Sequence, residues 1–166
     1  QIYGKKGTRY TGKSMAEERI KVFLDSNVIL SGFISEKAAP RLILDLLCHD
    51  LPFLHAATGQ YNMEEIERTV ARKLPAVRPV FEHYMSKLML QVVPVPTREE
   101  LKEYRGSVAD EDLPVLVSAI RWGGDYLVTG DKKHFGGLRG SRIIPIKTCT
   151  PSEFIGILSS GLRRLG

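Results

Sequence analysis

The sequence has 166 residues, of which 43% are hydrophobic and 26% are charged. These proportions exclude a wholly disordered chain, and the length suits one domain with a proper core. No apolar run approaches the roughly 18 residues of a membrane-spanning helix. The N-terminus carries no apolar signal core, and the two cysteines form neither a zinc-binding pair nor a disulfide scaffold. We therefore expect a cytoplasmic protein that contacts no membrane.

Most of the net charge of +5 lies in the first 14 residues. They hold four basic residues and no acid, so the other 20 basic residues nearly balance the 19 acidic ones. We interpret residues 1–18 as a flexible basic tail, either a remnant of cloning or an arm that touches RNA or a partner. The overall charge is therefore weak evidence for nucleic-acid binding.

The chain after this tail begins with a predicted strand, helix and strand. Residues 20–25, IKVFLD, form a β-branched apolar run that is typical of a buried strand. Leucines and isoleucines over residues 42–47 repeat four positions apart, which predicts one helical stretch ending near residue 49. Residues 53–57 predict a second, weaker strand.

Two further helices are predicted in the middle of the chain. Asn62 and Glu65 form a capping-box pattern, which predicts the start of a helix that ends near residue 73. Two prolines then interrupt the chain. An apolar stripe over residues 81–89 predicts the next helix.

Turn and capping signals divide the next part of the chain. Residues 91–95, QVVPV, predict a strand that its proline places at a sheet edge or strand end. Thr97 and Glu100 form a second capping box. Asp112 precedes an apolar helix that the glycine pair 123–124 ends.

The C-terminal part predicts two strands and a helix. Residues 125–129, DYLVT, are the clearest late strand, and residues 142–147, RIIPIK, predict the last one. Thr150, Pro151 and Glu153 predict the start of a C-terminal helix with proline at its first position.

This alternation of strands and helices implies parallel strand pairing. We predict an α/β fold, a three-layer α/β/α sandwich with a central, mostly parallel sheet of four to five strands. The sequence shows no repeat and no linker, so we predict a single domain over residues 19–160.

Four acidic residues are expected at one edge of this sheet, where open parallel sheets bind ligands beyond the C-terminal ends of their strands. Each also has a structural interpretation as a helix cap, a capping-box member or a turn residue. If they converge, each pair about 4 Å apart repels by roughly 4 kcal/mol at an effective dielectric constant near 20. A hard divalent cation such as Mg²⁺ or Mn²⁺ relieves this repulsion. The four residues are Asp25, Glu65, Asp112 and Asp131.

The segments around these acids resemble the four motifs of the PIN-domain family. VFLDSNVILSG (22–32) is similar to the family's opening strand and turn, and EEIERTV (64–70) to its second acidic motif. DLPVLVSA (112–119) resembles the third, and DYLVTGDKKHF (125–135) the fourth. The match spans about residues 20–150 in the family's order and is closest to the PIN-domain toxins of toxin–antitoxin pairs.

The resemblance implies a ribonuclease that hydrolyses phosphodiester bonds with Mg²⁺ or Mn²⁺. It implies that the four acids hold one or two ions. Ser26, Asn27 and Thr129 match neighbouring positions of the motifs and would orient the carboxylates. It further implies a small antitoxin that occupies the acidic site, and a homodimer.

Two ligand positions stay open at the level of sequence. The third ligand is one of the three consecutive acids at 110–112, and we prefer Asp112. Glu64 and Glu67 compete with Glu65, which we prefer because it directly precedes Ile66, as the family's acid precedes an apolar residue.

Several basic residues lie next to these acids in sequence and are candidates for contact with the RNA backbone. They also fit an ordinary solvated surface. They are Lys132, Lys133, His134, Arg68 and Arg72.

Two other functions compete with the nuclease. One is an aspartate-nucleophile phosphatase that uses Asp25, but such sites commonly have an acid two residues later and this chain has Asn27. The other is a non-catalytic scaffold that binds RNA or protein, which need not bind a metal ion. A dinucleotide enzyme is disfavoured because no glycine-rich GxGxxG motif follows the first strand.

Overall fold

Five short strands form one sheet at the centre of the molecule. The computed structural model describes residues 19–135 and 144–165. The strands are β1 (Ile20–Leu24), β2 (Leu54–Gly59), β3 (Leu90–Val93), β4 (Tyr126–Val128) and β5 (Lys147–Cys149). Their spatial order is β3-β2-β1-β4-β5 and every neighbouring pair is parallel, which confirms the predicted α/β class and strand number.

The described residues also form eight α-helices and a short 3-10 turn at Pro75–Val77. The helices are α1 (Ser26–Ile34), α2 (Ala39–Leu47), α3 (Gln60–Arg72), α4 (Arg78–Met85), α5 (Arg98–Glu103), α6 (Leu113–Trp122), α7 (Lys132–Phe135) and α8 (Pro151–Leu165). None of these helices is both long and apolar enough to cross a bilayer.

Hydrophobic residues fill both faces of the sheet. Because side chains alternate along a strand, Val22 and Leu24 of β1 face one layer of helices, and Phe23 faces the other. The first layer includes α1, α2, α3, α4 and α8, and the second is built mainly on α6. This is the three-layer arrangement that the sequence predicts.

Three local signals in the sequence are confirmed. Thr97 and Glu100 form a reciprocal capping box at the start of α5, and Thr150 and Glu153 form another at the start of α8. Gly123 ends α6 with φ +80°, a left-handed conformation that favours glycine.

The single helical stretch predicted before residue 49 is wrong, because α1 and α2 are separate helices. Pro40 lies in the first turn of α2, where a proline is compatible with a helix because no backbone N–H is needed there. Arg41 donates from Nε to the Gly32 carbonyl oxygen (2.5 Å) and from its guanidinium to the Phe33 carbonyl oxygen (3.2 Å), which satisfies acceptors at the end of α1. The break allows the two helices to pack against each other.

The capping box predicted at Asn62 and Glu65 is also wrong. The helix α3 begins at Gln60, with Gly59 as its N-cap residue, so Asn62 is the third residue of the helix. Its Oδ1 accepts a hydrogen bond from the Gly59 backbone N–H at 3.2 Å. Asn62 therefore caps the helix from inside, and Glu65 is left available for another role.

The last strand lies later than predicted. β5 begins at Lys147, and residues 144–146 lead into it with Ile144 and Ile146 buried in the core against α6. Pro145 between them has no N–H for the strand ladder. The first part of the predicted strand, residues 142–143, lies outside the described residues.

The pairing of β1 with β4 positions the acidic edge of the sheet. Leu24 pairs with Val128, and the Asp25 backbone N–H donates to the Val128 carbonyl oxygen at 3.0 Å. The ladder thus continues one residue beyond β1. It places Asp25 beside Thr129 at the C-terminal edge of the two central strands.

Candidate metal centre

Asp25 is held by three hydrogen bonds at the C-terminal end of β1. Its Oδ1 accepts from the Ser26 backbone N–H at 2.8 Å and from Asn62 Nδ2 at 3.3 Å. Its Oδ2 accepts from Thr129 Oγ1 at 2.9 Å. Asp25 does cap α1, as its structural interpretation predicts, but the contacts from α3 and from the end of β4 are more than a cap requires.

Burial raises the pKa of Asp25 above its ordinary value. The hydrogen bonds from Thr129 and Ser26 oppose this effect, and the negative charges of Glu65 and Asp112 add to it. The ionised form of Asp25 is therefore disfavoured at this position, and a nearby cation would stabilise it.

Glu65 reaches the same edge from α3. Ser26 Oγ donates to Glu65 Oε2 at 3.3 Å and accepts from Asn62 Nδ2 at 2.8 Å. Glu65 is half-buried, whereas Glu64 and Glu67 are exposed. Of the three acids that the sequence left open on this helix, the structure therefore brings Glu65 to Asp25.

Asp112 and Asp131 meet on either side of one histidine ring. His134 Nδ1 lies 3.0 Å from Asp112 Oδ1 and 2.9 Å from its Oδ2, and Nε2 lies 3.1 Å from Asp131 Oδ2. The hydrogen bond to Asp112 and the charges of both aspartates raise the pKa of His134 above its ordinary value. Asp112 lies at the start of α6 without capping it through its side chain.

Among the consecutive acids at 110–112, the structure also brings Glu111 to the site. Glu111, Asp112 and His134 each offer one ligand atom, and these atoms lie within 4.8 Å of one another. Tyr61 on α3 donates to the Glu111 carbonyl oxygen at 3.5 Å. Asp110 is exposed and does not belong to this group.

The residues predicted to orient the carboxylates hold the turn between β4 and α7. Thr129 Oγ1 donates to Asp25 and accepts from the Asp131 backbone N–H at 3.1 Å, so one hydroxyl connects two of the acids. Asn27 Oδ1 accepts from the Gly130 backbone N–H at 3.0 Å. These contacts fix the position of Asp131 relative to β1.

The predicted substrate-contacting residues lie at the surface as far as they are described. Arg68 and Lys133 are exposed, and the positive charge of Arg68 acts on the hydroxyl group of Tyr61, beside the acids. The side chain of Lys132 lies outside the described residues.

Sequence reasoning missed the roles of Asn62 and His134. Asn62 is fully buried and links α3 to both Asp25 and Ser26, although the sequence suggested only a helix cap. For His134, the signal was its position three residues after Asp131, which is one helical turn. Its contact with Asp112 spans 22 positions and has no local sequence signal.

The donor set fits a hard divalent ion. Four carboxylates lie at one edge of the sheet. Within the described residues, the buried Asp112 Oδ2 lies 2.9 Å from His134 Nδ1 but makes no well-aligned hydrogen bond. A carboxylate oxygen free of hydrogen bonds is a ready ligand for Mg²⁺ or Mn²⁺. Among the described residues, the group whose ligand atoms lie within 4.8 Å of one another is Glu111, Asp112 and His134. Asp25, Glu65 and Asp131 are joined to this edge through Ser26, Thr129 and His134 and are the further candidates to hold such an ion.

The fold and the site thus define the class of protein. It is a three-layer α/β/α sandwich that carries an acidic cluster at the ends of its central strands. No family model matches the sequence, and no curated protein does. Solved structures of toxin–antitoxin complexes do match it in fold.

Three such structures are similar to this chain over most of its length. VapBC2 from Rickettsia felis bound to a DNA fragment from its promoter has a TM-score of 0.56 at 18% identity, covering 79% of this chain and 98% of that chain. DNA-bound VapBC from Salmonella typhimurium has a TM-score of 0.56 at 18% identity, and the match covers 80% of this chain and 98% of that chain. VapBC-1 from nontypeable Haemophilus influenzae has a TM-score of 0.52 at 14% identity, and the match covers 80% of this chain and 99% of that chain. The toxin of these complexes, VapC, is a PIN-domain protein, so the chain has the PIN-like fold that its four motifs predict.

Proposed function

We propose that this protein is a divalent-metal-dependent ribonuclease that hydrolyses RNA phosphodiester bonds. The observation that carries the proposal is the convergence of four acids from separate parts of the chain. Thr129 connects Asp25 to Asp131, and His134 connects Asp131 to Asp112. Glu65 completes the group. Separate helix caps would not require these four residues to meet.

A bound Mg²⁺ or Mn²⁺ would supply Lewis-acid charge for the phosphate oxygens and acidify the attacking water. The hydrogen bonds to Asp25 hold both of its oxygens in place. Ser26 donates to one oxygen of Glu65, and the Asn27 contact to Gly130 holds the turn that carries Asp131. In this mechanism, the residues position carboxylates and the protein provides no nucleophile of its own.

The surroundings of the acids supply positive charge for the substrate. Arg68 lies one helical turn after Glu65, and Lys133 lies two residues after Asp131. Both side chains are exposed. Their positive charge would suit contact with backbone phosphates next to the scissile bond. We assign them to RNA binding together with Lys132.

The fold comparison extends the proposal to partners. The similar solved structures are complexes of a toxin with its antitoxin, and two of them are bound to DNA. We propose that this chain acts as a cytoplasmic toxin and forms a homodimer. A small cognate antitoxin would inhibit it by covering the acidic site.

The direct test is cleavage of a mixed-sequence single-stranded RNA in Mn²⁺ or Mg²⁺, with EDTA as the metal-free control. We expect cleavage that needs the metal and falls at least about a hundredfold in Asp112→Asn, since the variant loses a ligand carboxylate. The matched control is Asp110→Asn, which removes a neighbouring charge outside the cluster and should retain activity.

Equal cleavage by wild type and Asp112→Asn would contradict the assignment of the site. A wild-type protein that binds neither Mn²⁺ nor Mg²⁺ would contradict the enzyme itself and favour a scaffold that binds RNA or protein.

A further inference from the structure

The His134 ring occupies a position that the four-acid site does not explain. It contacts the carboxylates of both Asp112 and Asp131 at 2.9–3.1 Å, although its side chain is 42% exposed. An exposed histidine that only contacted RNA would have no reason to lie between two candidate metal ligands. The ring thus belongs to the cluster of candidate metal ligands and not to the surrounding surface.

The short helix α7 holds the ring in this position. Asp131 and His134 are one helical turn apart, and Asp131 Oδ1 accepts from the Lys133 backbone N–H at 3.1 Å. Phe135, the last residue of α7, is buried in the core beside α6. This anchor on one side and the Thr129 contact on the other fix the segment that carries both side chains.

The atoms around the ring form a mixed set of oxygen and nitrogen donors. Glu111 and Asp112 offer carboxylate oxygens, and His134 offers a ring nitrogen within 4.8 Å of them. A second observation points to a ligand here, because the buried Asp112 Oδ2 makes no well-aligned hydrogen bond within the described residues, although His134 Nδ1 lies 2.9 Å from it. A cation next to this oxygen would lie within reach of the imidazole.

We propose that His134 is a nitrogen ligand of the metal centre, and that it makes the centre prefer first-row transition ions to Mg²⁺. The inference rests on the proposed metal-dependent function. Imidazole nitrogen suits transition ions, whereas Mg²⁺ takes oxygen ligands and retains several waters. One ring nitrogen binds the ion, and the other remains available to donate to a carboxylate, as is usual for metal-ligating histidines.

The test of coordination is pulsed electron paramagnetic resonance of the wild-type protein loaded with Mn²⁺ alone. A coordinated imidazole gives a ¹⁴N coupling that carboxylates and water cannot give. We expect this coupling in the wild type and its loss in His134→Gln. The control His49→Gln should keep it, because His49 is exposed and precedes β2 at the opposite edge of the sheet.

The test of selectivity is calorimetric titration of the same three proteins with Co²⁺ and with Mg²⁺. We expect Co²⁺ affinity to fall roughly tenfold or more in His134→Gln, in line with the loss of a group from a metal site, and Mg²⁺ affinity to change much less. Circular dichroism confirms that each variant is folded.

The possible failures are distinguishable. Mn²⁺ binding without imidazole coupling in the wild type, or coupling that persists in His134→Gln, would overturn the role of His134 and leave the nuclease proposal intact. Absence of binding of every ion tested would overturn both.

Discussion

At the scale of a single residue, Asp25 is a candidate metal ligand whose negative charge should oppose folding when no metal is bound. Its carboxylate is half-buried near Glu65 and Asp112, and its pKa is raised chiefly by loss of contact with water. The folded protein therefore retains a proton on Asp25 at pH values where the unfolded chain has lost it. Without metal, the contribution of Asp25 to stability falls as pH rises from the ordinary aspartate range through the raised pKa, and it stays low above that value.

Asp25→Asn should consequently be more stable than the wild type at neutral pH in EDTA. Asparagine is an equally good N-cap residue, so the cap of α1 is retained while the half-buried negative charge is removed. The gain should shrink as the pH is lowered, because wild-type Asp25 then becomes protonated. Urea denaturation of both proteins across the acid-to-neutral range measures the difference.

Added metal should make the wild type more stable than Asp25→Asn. Mn²⁺ at 100 times its dissociation constant stabilises a protein with one site by about 2.7 kcal/mol. We expect this stabilisation in the wild type and little of it in Asp25→Asn. If the variant is the less stable protein in EDTA, the charge of Asp25 is not the destabilising feature.

Thr129 provides a second test at residue scale. Its hydroxyl donates to Asp25 and accepts from the Asp131 backbone N–H, and the side chain is buried. Thr129→Val keeps the shape and removes the hydroxyl, so Mn²⁺ affinity should fall about 10–100-fold. Thr129→Ser should largely restore it, which isothermal titration would show. Equal affinity in the valine and serine variants would mean that the hydroxyl does not orient the acids.

At the scale of elements, the close packing of α1 on α2 depends on a glycine. A Cβ added at Gly32 would lie 2.4 Å from Leu44 Cδ1 and 3.1 Å from the Pro40 carbonyl oxygen. Gly156 in α8 has nothing within 4 Å of the same position. The two glycines are therefore a matched pair within helices.

Substitution of each by alanine should have opposite effects. Gly32→Ala should destabilise the protein by roughly 1–3 kcal/mol, because the core must shift to accept the methyl group. Gly156→Ala should stabilise it by up to about 1 kcal/mol through helix propensity. Thermal denaturation of both variants makes the comparison, and a neutral Gly32→Ala would show that α1 and α2 can separate.

The sequence predicted the elements where the signals were local. The capping box predicted at Thr97 and the helix start predicted at Thr150 both depend on neighbours within three residues, and both are confirmed. Asn62 was misassigned because its side chain points back to Gly59 and outward to Asp25, and only the tertiary structure decides between these roles and an N-cap. The last strand begins after Pro145, because proline has no N–H for the strand ladder. This signal was present in the sequence.

The site likewise divides into features with a signal in the sequence and features that depend on tertiary packing. The location of the four acids at one edge of the sheet could be predicted because parallel strands end there. That these acids together hold a metal ion stays a prediction. The choice of Glu65 over its neighbours and the bridging ring of His134 depend on packing between α3, α6 and α7. Contacts of this kind join residues far apart in sequence, and no pattern within one segment specifies them.

At the scale of the whole molecule, we predict that the basic N-terminal segment, residues 1–18, can be removed without loss of the domain. Deletion of residues 1–18, which hold four basic and two acidic residues, removes +2 of the net charge of +5 and none of the core residues described. We expect the melting temperature to change by less than about 2–4 °C, which corresponds to under 1 kcal/mol for a chain of this size. The metal-dependent cleavage rate should be unchanged at physiological salt.

The same deletion distinguishes the two interpretations of the segment. An arm that binds RNA would strengthen RNA binding at low salt, and its removal would reduce the slope of affinity against salt concentration. An unchanged slope would identify the segment as dispensable for the substrate.

The claim on which these expectations depend is that four separated acids form one metal centre. Its most direct measurement is an anomalous difference map from crystals of the wild-type protein soaked in Mn²⁺. We predict a peak at the C-terminal edge of β1 and β4, within ligand distance of carboxylates among Asp25, Glu65, Asp112 and Asp131. A map with no peak at this edge, in a protein whose acids are arranged as described, would contradict the claim.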